Sequence, residues 1–209
     1  MSTDQPWPNP YRKLPDNPAT DPKFRHSRSY LPHIKFDGHL QMVTYRLADS
    51  MPEDVAERLL AEAKQDNLDP EYRKKVEAYL DAGHGASWLR IPEIAAIVRD
   101  TWLFFEAQRY HLHAWLIMPN HVHLVVEEFP DHPLRRTVTN WKSFTAKAIN
   151  RHLGRSGGVW QREHWDRYIR DQAHYDAAVS YIYDNPVKAG FVERIEEWPW
   201  SSWGATENK

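Results

Sequence analysis

Apolar positions recur at two periods along this chain. Residues 40–47 (LQMVTYRL) read as a first strand. Residues 110–118 and 121–127 read as two more, joined by Pro119–Asn120 into a hairpin. Helical spacing dominates elsewhere. Ser50, Pro52 and Glu53 form a capping-box pattern that opens a helix to about residue 64, and Asp69–Pro70 opens another to about residue 80. A third helix starts at Pro92, with Ile94, Ala95, Val98, Trp102 and Phe105 on one stripe.

A long amphipathic helix covers 134–153. Its inner face carries Leu134, Val138, Trp141, Ala148 and Ile149, with Thr145 among them. Arg136, Asn140, Ser143, Lys147 and Arg151 share its outer face, and Lys142 lies on a flank. A short strand falls within 160–169. Asp171 caps a last helix, which Pro186 is expected to stop near Asp184. Helices interleaved with strands and a hairpin predict an α+β fold with a mostly antiparallel sheet. Six prolines before position 23 and no hydrophobic period make residues 1–30 an extended arm. Residues 31–209 then form a single domain.

Composition removes several classes. The chain has 209 residues, 41% of them hydrophobic, and no cysteine, so disulfide frameworks and thiol chemistry are excluded. No apolar run reaches the roughly 20 residues of a membrane helix, and the first residues lack a signal-peptide core, so a cytoplasmic, membrane-free protein is expected. Net charge is only −2, yet residues 135–170 hold nine bases against Glu163 and Asp166. A polyanion-facing surface would produce this block, and so would a solvated helix face. Ten tryptophans could stack on unpaired bases, although core packing is the commoner use.

The candidate chemistry sits in two places. His121 and His123 share one strand face, because positions two apart point the same way. Two neutral imidazoles suit a divalent ion. His111 and His113 repeat the spacing, and a two-residue turn would put the two pairs on opposite faces. Some 60 residues on, Tyr181 and Asn185 stack one turn apart, with His174 on the same flank and Tyr183 pointing elsewhere. A phenol with a pKa of about 10 is a poor nucleophile at neutral pH, and a nearby cation would help it attack a phosphate. Two imidazoles and an amide oxygen leave positions open for phosphate oxygens. Mg²⁺ prefers oxygen ligands, and Mn²⁺ tolerates imidazole better.

The run PNHVHLVV resembles the histidine–hydrophobic–histidine motif of HUH endonucleases. The segment WQREHWDRYIRDQAHYDAAVSYIYDNPVKAGFV is similar to the C-terminal signature of REP-associated tyrosine transposases. The resemblance implies a ferredoxin-like (RRM-like) sheet flanked by helices, with residues 51–82 as a helical insertion after the first strand. It implies His121, His123 and Asn185 as ligands of Mg²⁺ or Mn²⁺, and Tyr181 as the nucleophile that forms a 5′-phosphotyrosine link. The implied partner is single-stranded DNA with imperfect hairpins of repetitive extragenic palindromes, bound by a nucleoid-associated bacterial monomer or homodimer. Arg135, Arg136, Lys142, Lys147, Arg151, Arg167 and Arg170 are the candidate DNA contacts. Two other readings compete. One is a non-catalytic nucleic-acid binder with an RRM-like sheet. The other is a zinc hydrolase, for which the sequence names no further ligand.

Overall fold

The computed structural model describes residues 25–26, 33–34, 40–62 and 70–204. The expected arm therefore lies outside the described residues, except for a two-residue antiparallel ladder between β1 (Arg25–His26) and β2 (His33–Ile34). The proposed cap at Asp69 lies outside them too.

A four-stranded sheet organises everything else. Strand β3 (Leu40–Arg46) pairs antiparallel with β5 (His121–Glu128) on one side and with β6 (Trp165–Tyr168) on the other. Strand β4 (Tyr110–Ile117) completes the order β4-β5-β3-β6 by pairing with β5. Strands β3 and β4 thus run parallel with β5 between them, as the expected ferredoxin-like topology requires. The helices follow the hydrophobic periods. Val43, Tyr45, Val122, Leu124 and Val126 face α3 (Pro92–Leu103) and α4 (Leu134–His152) in the larger core. Leu40, Leu116, Met118 and Val125 face α5 (Gln172–Lys188) on the opposite side, against Ala178 and Ile182.

Tryptophan fills the larger core. Trp102 Nε1 donates to Tyr45 Oη at 2.9 Å and Trp141 Nε1 donates to Tyr110 Oη at 3.1 Å, so burial leaves neither indole unsatisfied. The N-terminus of α4 has no side-chain cap at Pro133. The buried Glu128 carboxylate accepts from the Leu134 N–H instead, where it also meets the positive end of the helix dipole.

Three local expectations are revised. Helix α5 continues through Pro186 to Lys188 and ends in a Schellman turn, with Phe191 N–H donating to Pro186 O and Gly190 at φ +73. Proline removes a single donor in the last turn, and the buried ring is held by packing. A bulge between Leu112 and Ala114 shifts the hairpin register, so His111 pairs with Glu127 and shares the face of His123 instead of the opposite one. Ser50 Oγ donates to Leu47 O and accepts from Arg46 Nη1, so it does not cap α1 (Glu53–Glu62), which begins three residues later. The short strand expected within 160–169 is β6 at 165–168, and Trp160 forms an isolated bridge to Leu47.

Helix α2 (Pro70–Asp81) is fixed over one end of the sheet. Asn120 Nδ2 donates to Leu80 O at 3.0 Å and to His84 O at 3.2 Å. Val76 and Leu80 are buried with Met51 and Leu59, and Trp165 packs against them. The loop after α2 passes so close to Asp49 that a Cβ on Gly85 would fall 2.2 Å from Asp49 O, at a φ of +79. Gly85→Ala should therefore cost at least about 2 kcal/mol in urea unfolding. Gly83→Ala, at φ +75 in open space, should cost about 1 kcal/mol. Equal losses would mean that the close approach to Asp49 is absent.

Candidate active site

Period-two geometry places His121 and His123 beside Arg46 and Thr44 on the α5 face of the sheet, through the pairs Arg46↔His121 and Thr44↔His123. Both histidines are buried, at 1% and 0% exposure. Their Nδ1 atoms are fixed. His121 Nδ1 donates to Asn120 Oδ1 at 2.7 Å, and His123 Nδ1 sits 2.8 Å from Thr44 Oγ1. Because a carbonyl oxygen only accepts, His121 carries its proton on Nδ1 and turns a lone pair outward on Nε2. Partners of this kind orient metal-binding imidazoles.

Helix α5 brings the second half. Asp171 Oδ1 accepts from His174 N–H and starts the helix, and Ala178 and Ile182 bury its stripe on the sheet. Tyr181 then packs edge-to-face on His123 with ring centroids 5.2 Å apart, while His121 and His123 stand 4.7 Å apart. Asn185 follows one turn later, 2% exposed. Tyr183 is on the other flank, exposed, donating to Glu196 and packed on Trp203.

Five buried polar atoms without a well-formed hydrogen bond belong to this neighbourhood: His121 Nε2, His123 Nε2, Asn185 Oδ1, Tyr181 Oη and Asp81 Oδ1. Buried groups of this kind are normally satisfied, and a shared defect in lone-pair donors is what an ion would cure. Among the described residues no three His, Asp or Glu side chains already close on one point, so any ion must draw the donors in.

Electrostatics keep the site uncharged on the imidazole side. Burial drives His121 well below the usual histidine range, with the nearby His123 adding to the effect, and burial pushes His123 down to about 3. Burial raises Asp81 to about 6. The Tyr181 phenol is raised beyond its ordinary range, first by burial and then by Glu77 and Asp81; the Asn185 amide opposes the rise.

Three site residues escaped the sequence. Asp81 and Glu77, one turn apart on α2, reach His121 and Tyr181 from what reads as a mere insertion. Arg46 is buried on the rung of His121. The even spacing of Thr44 and Arg46 in β3 was the available signal; nothing local marks the α2 acids.

The candidate DNA contacts divide. Arg135, Arg136, Lys147 and Arg151 are exposed on α4, but α4 covers the sheet face opposite the histidines. Lys142 Nζ donates to Arg162 O at 2.8 Å and holds that loop, and burial lowers it to about 8. Arg167 pairs in register with Met42 and so lies on the histidine face, and exposed Arg170 precedes α5. The second histidine pair is separately engaged, His113 with Glu127 at 3.0 Å and His111 with Glu106 at 3.3 Å.

Known proteins bear on this geometry. Residues 96–185 match the model of the family described as Transposase IS200 like, a stretch that contains both histidines, Tyr181 and Asn185. Over that stretch the chain is similar to the IS200-like transposases. It is 36% identical over 96 residues to a REP-associated tyrosine transposase of Haemophilus influenzae, covering 41% of this chain and 54% of that one. It is 33% identical over 95 residues to the REP-associated tyrosine transposase of Escherichia coli, covering 44% and 54%. The chain thus spans about half the length of these relatives. A solved REP-associated tyrosine transposase bound to a REP hairpin shares the fold, with a TM-score of 0.54 at 20% identity over 86% of this chain and 82% of that one. The acids of α2 fall outside the matched transposase stretch. Among the described residues no helix is long and apolar enough to cross a membrane.

The enclosed imidazoles set a pH dependence. The unfolded chain protonates both histidines as pH falls through about 6.5, and the folded chain does not, so stability falls with pH. Asp81 opposes this below about 6, because its folded carboxyl takes up a proton before the unfolded one does. The melting temperature of the metal-free protein should therefore drop steadily from pH 7 to pH 5. A flat profile would mean that the imidazoles are not enclosed and neutral.

Proposed function

We propose that this chain is a strand-cleaving and strand-joining enzyme for single-stranded DNA next to REP-type hairpins, with Tyr181 as its nucleophile. One observation carries the reading: the Tyr181 ring lies against His123, and its hydroxyl, like the two Nε2 atoms and the Asn185 oxygen, is buried without a well-formed hydrogen bond. The relatives' names point to the same chemistry.

Tyr181 Oη attacks the scissile phosphorus. The bond to the 3′ oxygen breaks, the phenolic proton leaves for solvent or a nearby carboxylate, and the 3′ oxygen gains a proton as a free hydroxyl. The 5′ phosphate stays on Tyr181, and attack by a 3′-hydroxyl reverses the step. His121, His123 and Asn185 fit a divalent ion, Mg²⁺ or Mn²⁺, because each presents a buried lone pair without a hydrogen bond. Such an ion supplies Lewis-acid polarisation of the phosphate. Asn120 and Thr44 orient the imidazoles, and Asn185 lowers the phenol's pKa against the α2 acids. Arg167 on the histidine face and Arg170 just before α5 would meet the DNA, and the α4 cations would meet it only around the sheet edge.

Tyr181→Phe should abolish the covalent protein–DNA adduct on a labelled hairpin with Mn²⁺ while hairpin binding stays within about two-fold. Tyr183→Phe should leave adduct formation nearly intact, since its hydroxyl faces Glu196. Adduct from Tyr181→Phe, or its loss only in Tyr183→Phe, would overturn the assignment; intact but shifted DNA with every variant would favour a mere binder.

The two cationic groups are separable by salt. Arg167→Ala with Arg170→Ala should flatten the dependence of log Kd on log salt by about one to two charges, more than Lys147→Ala with Arg151→Ala does. The reverse order would put the DNA on the α4 side.

A further inference from the structure

We propose that Asp81, at the C-terminal end of α2, is a ligand of the same divalent ion, so that two imidazoles, an amide and a carboxylate hold it. This rests on reading His121, His123 and Asn185 as a metal site.

The first ground is distance. Asp81 Oδ1 lies 3.7 Å from His121 Nε2. That is too long for a hydrogen bond, and neither atom has one. Donors bound at about 2.1 Å to one ion stand roughly 3.0 to 3.5 Å apart at octahedral to tetrahedral angles. The observed gap needs only a small contraction or a somewhat wider angle.

Placement is the second ground. Leu80, the residue before Asp81, is buried, and its carbonyl accepts from Asn120 Nδ2. The same Asn120 accepts from His121 Nδ1 through its Oδ1. A single amide therefore fixes both the imidazole and the end of α2. The Asp81 side chain is 29% exposed, which leaves it room to turn onto an ion that a fully packed carboxylate would lack.

Ligand chemistry is the third. Two imidazoles and an amide are neutral and partly soft, whereas Mg²⁺ and Mn²⁺ favour anionic oxygen. One carboxylate supplies it and still leaves a net positive centre for a phosphodiester. An unpaired carboxylate beside a DNA-cleaving tyrosine is otherwise a double cost, in desolvation and in repulsion of the substrate.

The test is Mn²⁺ binding to the full chain, followed by calorimetry and by the electron paramagnetic resonance of free Mn²⁺, together with melting curves with and without metal. Asp81→Asn should weaken Mn²⁺ binding ten-fold or more and remove most of the metal-induced rise in melting temperature. Without metal it should melt no lower than the parent, because it removes the charge of a carboxylate whose buried Oδ1 has no hydrogen bond. His121→Ala should bind Mn²⁺ more weakly still. If Asp81→Asn binds Mn²⁺ as tightly as the parent, or melts lower without metal, Asp81 is not a ligand and the three-donor site stands alone. If the parent chain binds no Mn²⁺ and matches His121→Ala, the metal reading falls with it. DNA adduct assays on the same variants separate that failure from failure of Tyr181 as nucleophile.

Discussion

The edge-to-face contact between His123 and Tyr181 is what the functional reading hangs from, and it follows from two packing periods. Alternation along β5 sends Val122, Leu124 and Val126 into the α3–α4 core and leaves His121, His123 and Val125 on the other face. Helical spacing along α5 sends Ala178 and Ile182 down onto that face. With Ile182 seated among Val125, Leu116 and Met118, its neighbour Tyr181 has one place to go, beside the imidazoles. A shift of one residue in β5 would exchange the histidines for Val122 and Leu124 and dissolve the site. The apolar residues thus carry the geometry, and the polar ones are passengers at positions that geometry determines.

Sequence reasoning recovered the parts governed by long, regular periods. The hairpin, α4, α5 and the Asp171 cap were legible from local patterns, whereas the meeting of His121 and His123 with Tyr181 and Asn185 was implied by the family resemblance. It failed where one residue decided. Pro186 was read as a stop, yet a helix tolerates the loss of one donor in a last turn that Gly190 then closes. The bulge at His113 leaves no trace in an apolar count, and it moved His111 across the sheet. Lys142 belongs to the basic block by composition, but its amine is spent on loop carbonyls.

Helix α2 is a different sort of miss. Its mean pattern is that of a solvated helix, and nothing within residues 70–81 says that Glu77 and Asp81 look inward. That information lies 36 to 40 residues away in the bonds from Asn120 to Leu80 and His84. Asn120 was read only as half of a turn. It joins hairpin, histidine and helix, and tertiary contacts of that kind are invisible to any window of sequence.

The α2 acids also bear on how the site works. With no cation, Glu77 and Asp81 raise the Tyr181 pKa on top of burial, and the protonated phenol is a poor nucleophile. Both histidines are enclosed, so on the proposed reading a scissile phosphate would reach their Nε2 atoms only if the side chains around them shift. A cation engaging Asp81 would reverse the sign of the local field, favouring phenolate and attracting phosphate in one step. On that reading the carboxylate that adds to the rise in the Tyr181 pKa without metal would be the group that helps to hold the ion. A neutral residue at position 81 would neither restrain Tyr181 in the first state nor hold the ion as firmly in the second.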